Sequence, residues 1–462
     1  MDRSSGANPL LTEGPIGKML FRLTIPMLFG IIGTIAFNLI DAYFIGQLGT
    51  RELAAISFTF PVIFILGGIS FGLGVGASAV ISKAIGEKDQ QKIARLTTDS
   101  LVLALIIVSV FTILGYLTID PVFMLLGADS ETLPLIRSYM QIWYPGMIFL
   151  VIPIVGNNAI RATGDTKSAA LIMVVGVLVN TILDPLLIFG YGPFPRLEME
   201  GAALATVIAR ALTLVFSLWI LSHKYQMIIL KPPGSGQVLD SWKKILYIGL
   251  PTAGTNIMRP LAAGIVIRIV ASYGPTAVAA FGVATRIDLF AMTVVMALTS
   301  ILGPFIGQNL GARKPERVYS GINKGHLFAF LWGIFALIIL ALLGQYIAPL
   351  FSSNPTVIKI IIQYLWIVPV GYGLYGIFNI SNMALNVLNK PFHAAALNII
   401  MLFGLLIPFV FVGSEAYGLV GIFTAIPIAN IVAGIGARLV LQRVLETIKV
   451  QNIVSPTNSS SS

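Results

Sequence analysis

The chain has 462 residues, 56% of them hydrophobic and only 10% charged, with a net charge of +10 and a mean hydropathy of +0.91. Soluble domains carry roughly 25% charged residues, so a water-soluble enzyme or nucleic-acid-binding domain is excluded. Cysteine is absent, which removes disulfides and thiolate chemistry, and the three histidines (His223, His326 and His393) fall near expected helix ends, so neither a metal nor another cofactor is expected.

Apolar runs that can each cross a bilayer, which takes about 20 residues, follow one another with short polar breaks. Helices are predicted at 20–48, 53–81, 98–118, 135–160, 168–192 and 201–222, then at 246–272, 276–306, 325–351, 358–386, 393–413 and 418–441. The reading is an all-α integral membrane protein with twelve transmembrane helices. No basic stretch followed by a cleavage site opens the chain, so the first span is expected to be retained.

The loop charges are one-sided. Lys83, Lys88, Lys92, Arg95, Arg161, Lys167, Lys224, Arg313, Lys314 and Arg317 alternate with loops that hold only Arg51, Arg137, Arg196 and Lys359. Positive residues gather in cytoplasmic loops, which predicts cytoplasmic termini in a plasma membrane, the inner membrane of a bacterium. The basicity marks orientation, with no nucleic acid as partner.

The sequence repeats itself. LGTRELAAIS at 48–57 aligns with YGPTAVAAFG at 273–282, and IGEKDQQKIAR at 85–95 with LGARKPERVYS at 310–320, both at an offset of 225. TKSAALIM at 166–173 matches FHAAALNI at 392–399, and GAALATVIA at 201–209 matches GIFTAIPIA at 421–429. Six spans per half is an even number, so the halves are parallel repeats, expected to form two lobes around a central cavity. The limits are 1–222 for the N-terminal lobe, 223–245 for a cytoplasmic linker around KPPGSG, 246–441 for the C-terminal lobe and 442–462 for a disordered tail. Gly68, Gly72 and Gly76, four apart, are read as a close helix-packing face.

Ionisable groups inside a span are costly and are functional candidates by default. Asp41 lies in the first span and Asp184 in the fifth, each eight residues before a glycine (Gly49, Gly192), about 12 Å from the helix end. Asn180 stands one turn from Asp184, and Asn38 is similarly placed beside Asp41. Thr206 in the sixth span adds a hydroxyl, and Asn157 lies nearer the cytoplasmic end of the fourth. Such a cluster suits a proton, Na⁺ or an organic cation; the structural alternative is that Asp184 only caps a backbone broken beside Pro185, with an amide as its partner. The repeat places Val266, Leu406 and Val410 opposite Asp41, Asn180 and Asp184, so the acidic group belongs to the first half alone. Asp288, with Arg286, Arg259 and Arg268, reads as an internal salt-bridge network. Pro26 kinks the first helix, as a moving hinge or a static bend.

LAAISFTFPV, AVISKAIGEKD, NNAIRATGDTKSAAL, GAALATVIA and GQNLGARKPERV, in that order, make the chain resemble the multidrug and toxic compound extrusion family over about residues 15–445. That family lies within the multidrug/oligosaccharidyl-lipid/polysaccharide exporter superfamily. It looks like the DinF-like branch, in which positions matching Asp41, Asn180 and Asp184 form an N-lobe site and Pro26 falls where the first helix bends. The resemblance implies secondary active multidrug efflux: export of small organic cations by proton-coupled antiport, through two lobes that alternate in access, with membrane lipid around a monomer. Another branch places carboxylates on the seventh and tenth spans. This sequence departs from that pattern, with Asn256, Arg259 and Arg268 in one and Asn379, Asn382 and Asn386 in the other. Na⁺ coupling is the alternative, and a lipid-precursor flippase of the same superfamily is the runner-up, since Arg210, Arg259, Arg268 and Arg286 lie in spans. Neither a nucleophile with its base nor paired aspartates at a catalytic spacing is present, so no enzyme is expected.

Overall fold

A computed structural model describes residues 11–229 and 235–454. In chain order the helices are α1 (Ile16–Gly46), α2 (Thr50–Gly86), α3 (Gln90–Leu117), α4 (Ile119–Leu125), α5 (Thr132–Gly146), α6 (Ile148–Ala162), α7 (Thr166–Phe189) and α8 (Glu198–Trp219). They continue as α9 (Ser235–Ala271), α10 (Pro275–Gly311), α11 (Pro315–Ile347), α12 (Pro355–Ile367), α13 (Tyr372–Val387), α14 (Pro391–Ile399) and α15 (Ile407–Val454). Wider turns at Ile220–Lys224 and Ile400–Leu406 extend α8 and join α14 to α15.

Ten helical runs among the described residues are long and apolar enough to span a bilayer, and α5 with α6, bent by 43° at their junction, make an eleventh. The twelfth is hidden in the 57-residue run Pro391–Thr447. Its backbone leaves helical geometry at Tyr417 and Gly418, the latter at φ 60°. A Cβ on Gly421 would lie 1.8 Å from the Gly413 carbonyl, whereas eight residues of straight helix span about 12 Å. The chain therefore reverses there, and the run is two crossings. The twelve expected spans are present, and they face lipid: only 22% to 61% of the most apolar window of each of the ten runs is buried within the protein, leaving side chains such as Phe29, Leu117 and Leu342 outward.

The duplication is written in the backbone as well as in the sequence. Helices α2 and α10 are both 37 residues long and start 225 positions apart, as do α3 and α11. Left-handed backbone conformations recur at the same offset, at Lys88 (φ 60°) and Arg313 (φ 55°), and at Gly164 (φ 92°) and Asn389 (φ 60°). Each pair closes a helix whose successor starts two residues later. The fourth and tenth spans are both interrupted, at Gly146 and at Val368–Gly371. A Cβ at Gly146 would strike Val207, 2.2 Å away, and one at Gly371 would meet Pro427 at 2.7 Å, so each break seats a residue from the last span of its own half.

The described residues divide into two compact units, one of Arg22–Ala253 and one of Leu11–Phe21 with the residues from Gly254 onward. These limits correct the expected ones at both ends. Residues Leu11–Gly14 belong to the second unit because Gln308, Asn309, Lys314 and Arg317 hydrogen-bond to their backbone. The linker is helix from Ser235, and Ser235–Ala253 belongs to the first unit. There Trp242 donates to the Asp99 carbonyl at 3.0 Å, and Gly72 and Gly76 approach α9 so closely that a Cβ on either would lie 2.4 Å from a carbonyl of Gly249 or Ile245. That contact is the packing read from the glycine spacing. The expected disordered tail is helical through Val454, anchored where the Tyr319 hydroxyl donates to the Leu445 carbonyl; residues 455–462 lie outside the described residues.

Candidate ion-coupling site

Helix α7 is built to hold its polar pair at depth. Asp165 caps its first turn by accepting from the Ser168 N–H at 2.9 Å, and Gly190 (φ 75°) ends it in the left-handed region. Between them Asn180 and Asp184, four residues apart, share one face, and the Asn180 Nδ2 donates to Asp184 Oδ1 at 2.9 Å with both residues fully buried. Pro185 follows at once and leaves the Thr181 carbonyl without its helical donor. The break leaves a carbonyl acceptor, which an ionised Asp184, itself an acceptor, does not cap; the bond from Asn180 is common to the site reading and its structural alternative.

Asp41 on α1 lies within electrostatic reach of Asp184, of Arg210 on α8 and of the buried Tyr139 on α5. The Arg210 guanidinium stacks over the Phe37 ring, 4.6 Å from its centroid, one turn from Asp41. Thr206 is four residues before Arg210 and so on the same face of α8. Buried oxygens of four of these residues, Asp41 Oδ1, Asn180 Oδ1, Asp184 Oδ2 and Thr206 Oγ1, have no hydrogen-bond partner among the described residues. In a bilayer each such atom is costly.

The structure thus brings together Asp41, Asn180 and Asp184, with Thr206 one turn from the Arg210 that lies beside Asp41. It does not bring in Asn38, which is exposed, or Asn157. The Asn157 amide donates to the Ala169 carbonyl at 3.1 Å, and Ala169 is about 16 Å along α7 from Asn180. Pro26 sits within an unbroken α1. The sequence gives no signal for Tyr139, since a tyrosine in a span carries none of its own, and Arg210 reads from sequence only as a cation for the flippase alternative. In the second unit Val266 and Val410 are buried apolar residues, so the acidic group has no counterpart there.

Asp288 is not salt-bridged. Among the described residues its carboxylate is held by the hydroxyls of Tyr364 and Tyr372, and no ion pair joins it to Arg259, Arg268 or Arg286. Arg286 and Asp288 are two residues apart, a spacing that turns side chains to different helix faces.

The MatE family model matches residues 26–186 and again 251–412, one match per half. The chain belongs to the MATE family. A protein of Shewanella oneidensis named FAD transporter is 40% identical over 439 residues, covering 95% of this chain and 97% of that protein. The Multidrug export protein MepA of Staphylococcus aureus is 25% identical over 437 residues, covering 93% and 94%. Among solved structures, the Vibrio cholerae MATE transporter VcmN in the bent form superposes with a TM-score of 0.88 at 30% identity, covering 94% of this chain and 97% of that one. This MATE protein is therefore a transporter and not an enzyme, with the family's two-lobe, twelve-helix architecture.

Proposed function

We propose that this protein is a secondary active exporter that couples the outward movement of an organic solute to inward movement of a proton, with Asp41 and Asp184 as the ion-coupling carboxylates. The observation that carries the reading is a charge imbalance. Two carboxylates share the buried site with one guanidinium, Arg210. Fully ionised, the group keeps one uncompensated negative charge inside the membrane, which is costly. One proton removes it. Arg210 already supplies a fixed cation beside Asp41 and so opposes Na⁺, which would also need several oxygens around it, whereas a proton needs one. Asn180 positions Asp184, and Thr206 with Tyr139 supplies hydroxyls that can donate to whichever carboxylate remains charged.

For the cargo, the 40% identity to a protein named FAD transporter favours a flavin dinucleotide or a similar aromatic phosphate ester. Arginines within spans suit such an anion. Cationic drugs are the second reading, favoured by the Asp41 and Asp184 carboxylates and by the relative named for multidrug export.

Asp41→Asn carries no titratable proton and should lose efflux driven by a pH gradient by about tenfold or more, while purifying as a folded monodisperse protein. Unchanged gradient-driven efflux of FAD and of ethidium by that variant would refute the assignment.

A further inference from the structure

We infer that the second unit holds a binding site for the phosphate groups of an organic anion, centred on Arg259 of α9. The inference rests on the flavin-dinucleotide reading of the cargo and adds to it the residues that would recognise the anion.

Arg259 is half-buried in the seventh span, yet among the described residues no carboxylate lies within ion-pairing distance of it. Its partners are neutral: a terminal guanidinium nitrogen donates to Asn379 Oδ1 at 3.4 Å and to Asn398 Oδ1 at 3.3 Å. Both are long for N–H···O bonds. The two amides are themselves fixed, since Asn379 donates to the Tyr375 carbonyl at 2.9 Å and Asn398 donates to the Ala394 carbonyl and to Asn382 Oδ1, each at 2.9 Å. Amide oxygens orient the guanidinium without neutralising it. An arginine in a span usually faces an acid or a functional site. No acid is there.

The Asp41, Asp184 and Arg210 group carries one negative charge too many, and this cluster carries one positive charge too many. A guanidinium has five N–H donors in a planar fork that matches phosphate oxygens in pairs. The two long bonds to one nitrogen leave the remaining donors for an anion. Tyr375, one turn from Asn379 on the same face of α13, is only partly buried and stacks on the fully buried Phe378 at 11° and 6.4 Å between centroids, which fixes its ring. A lipid-linked pyrophosphate offers the same phosphate chemistry without the ring.

Binding is measured on the full-length protein in nanodiscs by quenching of flavin fluorescence, with FAD and with riboflavin, which lacks phosphate, and with inorganic pyrophosphate and an undecaprenyl pyrophosphate lipid as competitors. Arg259→Gln should weaken FAD binding at least about tenfold and leave riboflavin binding within about twofold, with Arg259→Lys recovering part of the loss. FAD affinity unchanged in Arg259→Gln, or equal loss for FAD and riboflavin, overturns the site. No binding of FAD by the parent protein overturns the site and the flavin cargo together. If the parent binds FAD but does not pump it in proteoliposomes, the cargo reading fails, and the Arg259 comparison still decides the site. Displacement of FAD by the lipid, with inorganic pyrophosphate without effect, would overturn the soluble-anion assignment in favour of a flippase.

Discussion

Single residues were legible from sequence where an apolar background made them stand out. Asp41, Asn180 and Asp184 are polar groups in spans with few others, and helical spacing alone places Asn180 and Asp184 on one face. What stayed hidden was partnership across helices. Tyr139 is an ordinary residue for a membrane helix, and only tertiary packing puts it beside the carboxylates. Asp288 was misjudged because nearby arginines in the sequence suggested ion pairs, when its actual partners are two tyrosines about 80 positions away. Asp165 shows how a motif residue acts through its surroundings. Burial disfavours its charge, but hydrogen bonds from Lys224 (2.6 Å), Ser168 and Tyr225 (2.8 Å) outweigh that and hold its carboxyl at about 2, below the usual 3.8. A depressed carboxyl stabilises the fold above its unfolded value and loses that contribution as pH falls through its folded value. The clamp between α7 and the end of α8 should thus persist at pH 4 and fail near pH 2. Asp165→Ala removes the cap and the ion pair together and should cost about 1–2 kcal/mol, read as a lower melting temperature at pH 7. A melting temperature equal to that of the parent would show the clamp to be idle.

At the scale of elements, span positions were recoverable because a bilayer imposes a length, and boundaries were less so because a helix can continue past it. Ser235–Lys244 is the clearest case. Its polar sequence after KPPGSG looks like linker, yet Trp242 and the glycine face of α2 hold it in helix. Interruptions were similarly opaque, since Gly146 and Gly371 are two glycines among many and only the residues that fill the gaps mark them. Pro26 remains the element-scale feature with a dynamic consequence. Its ring leaves the Arg22 carbonyl without a donor and weakens α1 between the membrane edge and Asp41. Protonating Asp41 turns an acceptor into a donor, so its partners change, and a weakened helix can answer by bending. Pro26→Ala restores the hydrogen bond and should lower the maximal transport rate by about threefold or more while substrate affinity stays within about twofold. Proteoliposome kinetics separate the two quantities. An unchanged maximal rate would make Pro26 a static kink.

For the molecule as a whole, duplication was the most legible property, because the 225-residue offset survives in sequence, in helix lengths and in the sign of backbone angles. The asymmetry of the acidic residues was legible for the same reason: once the halves are aligned, Val266 and Val410 stand at the positions of Asp41 and Asp184, and the structure buries both valines. Less could be read about cargo, since the sequence shows which charges lie in spans but not which of them are neutralised. The structure answers that for Arg259. The account as a whole has the first unit gaining a proton as solute leaves, and it is tested by separating the two gradients. Purified protein in proteoliposomes is given either an imposed pH gradient or an imposed Na⁺ gradient, each with the membrane potential clamped, and solute flux is followed with FAD and with ethidium. The account predicts flux under the pH gradient, abolished by a protonophore and unaffected by Na⁺. Flux that follows the Na⁺ gradient and ignores pH would contradict it.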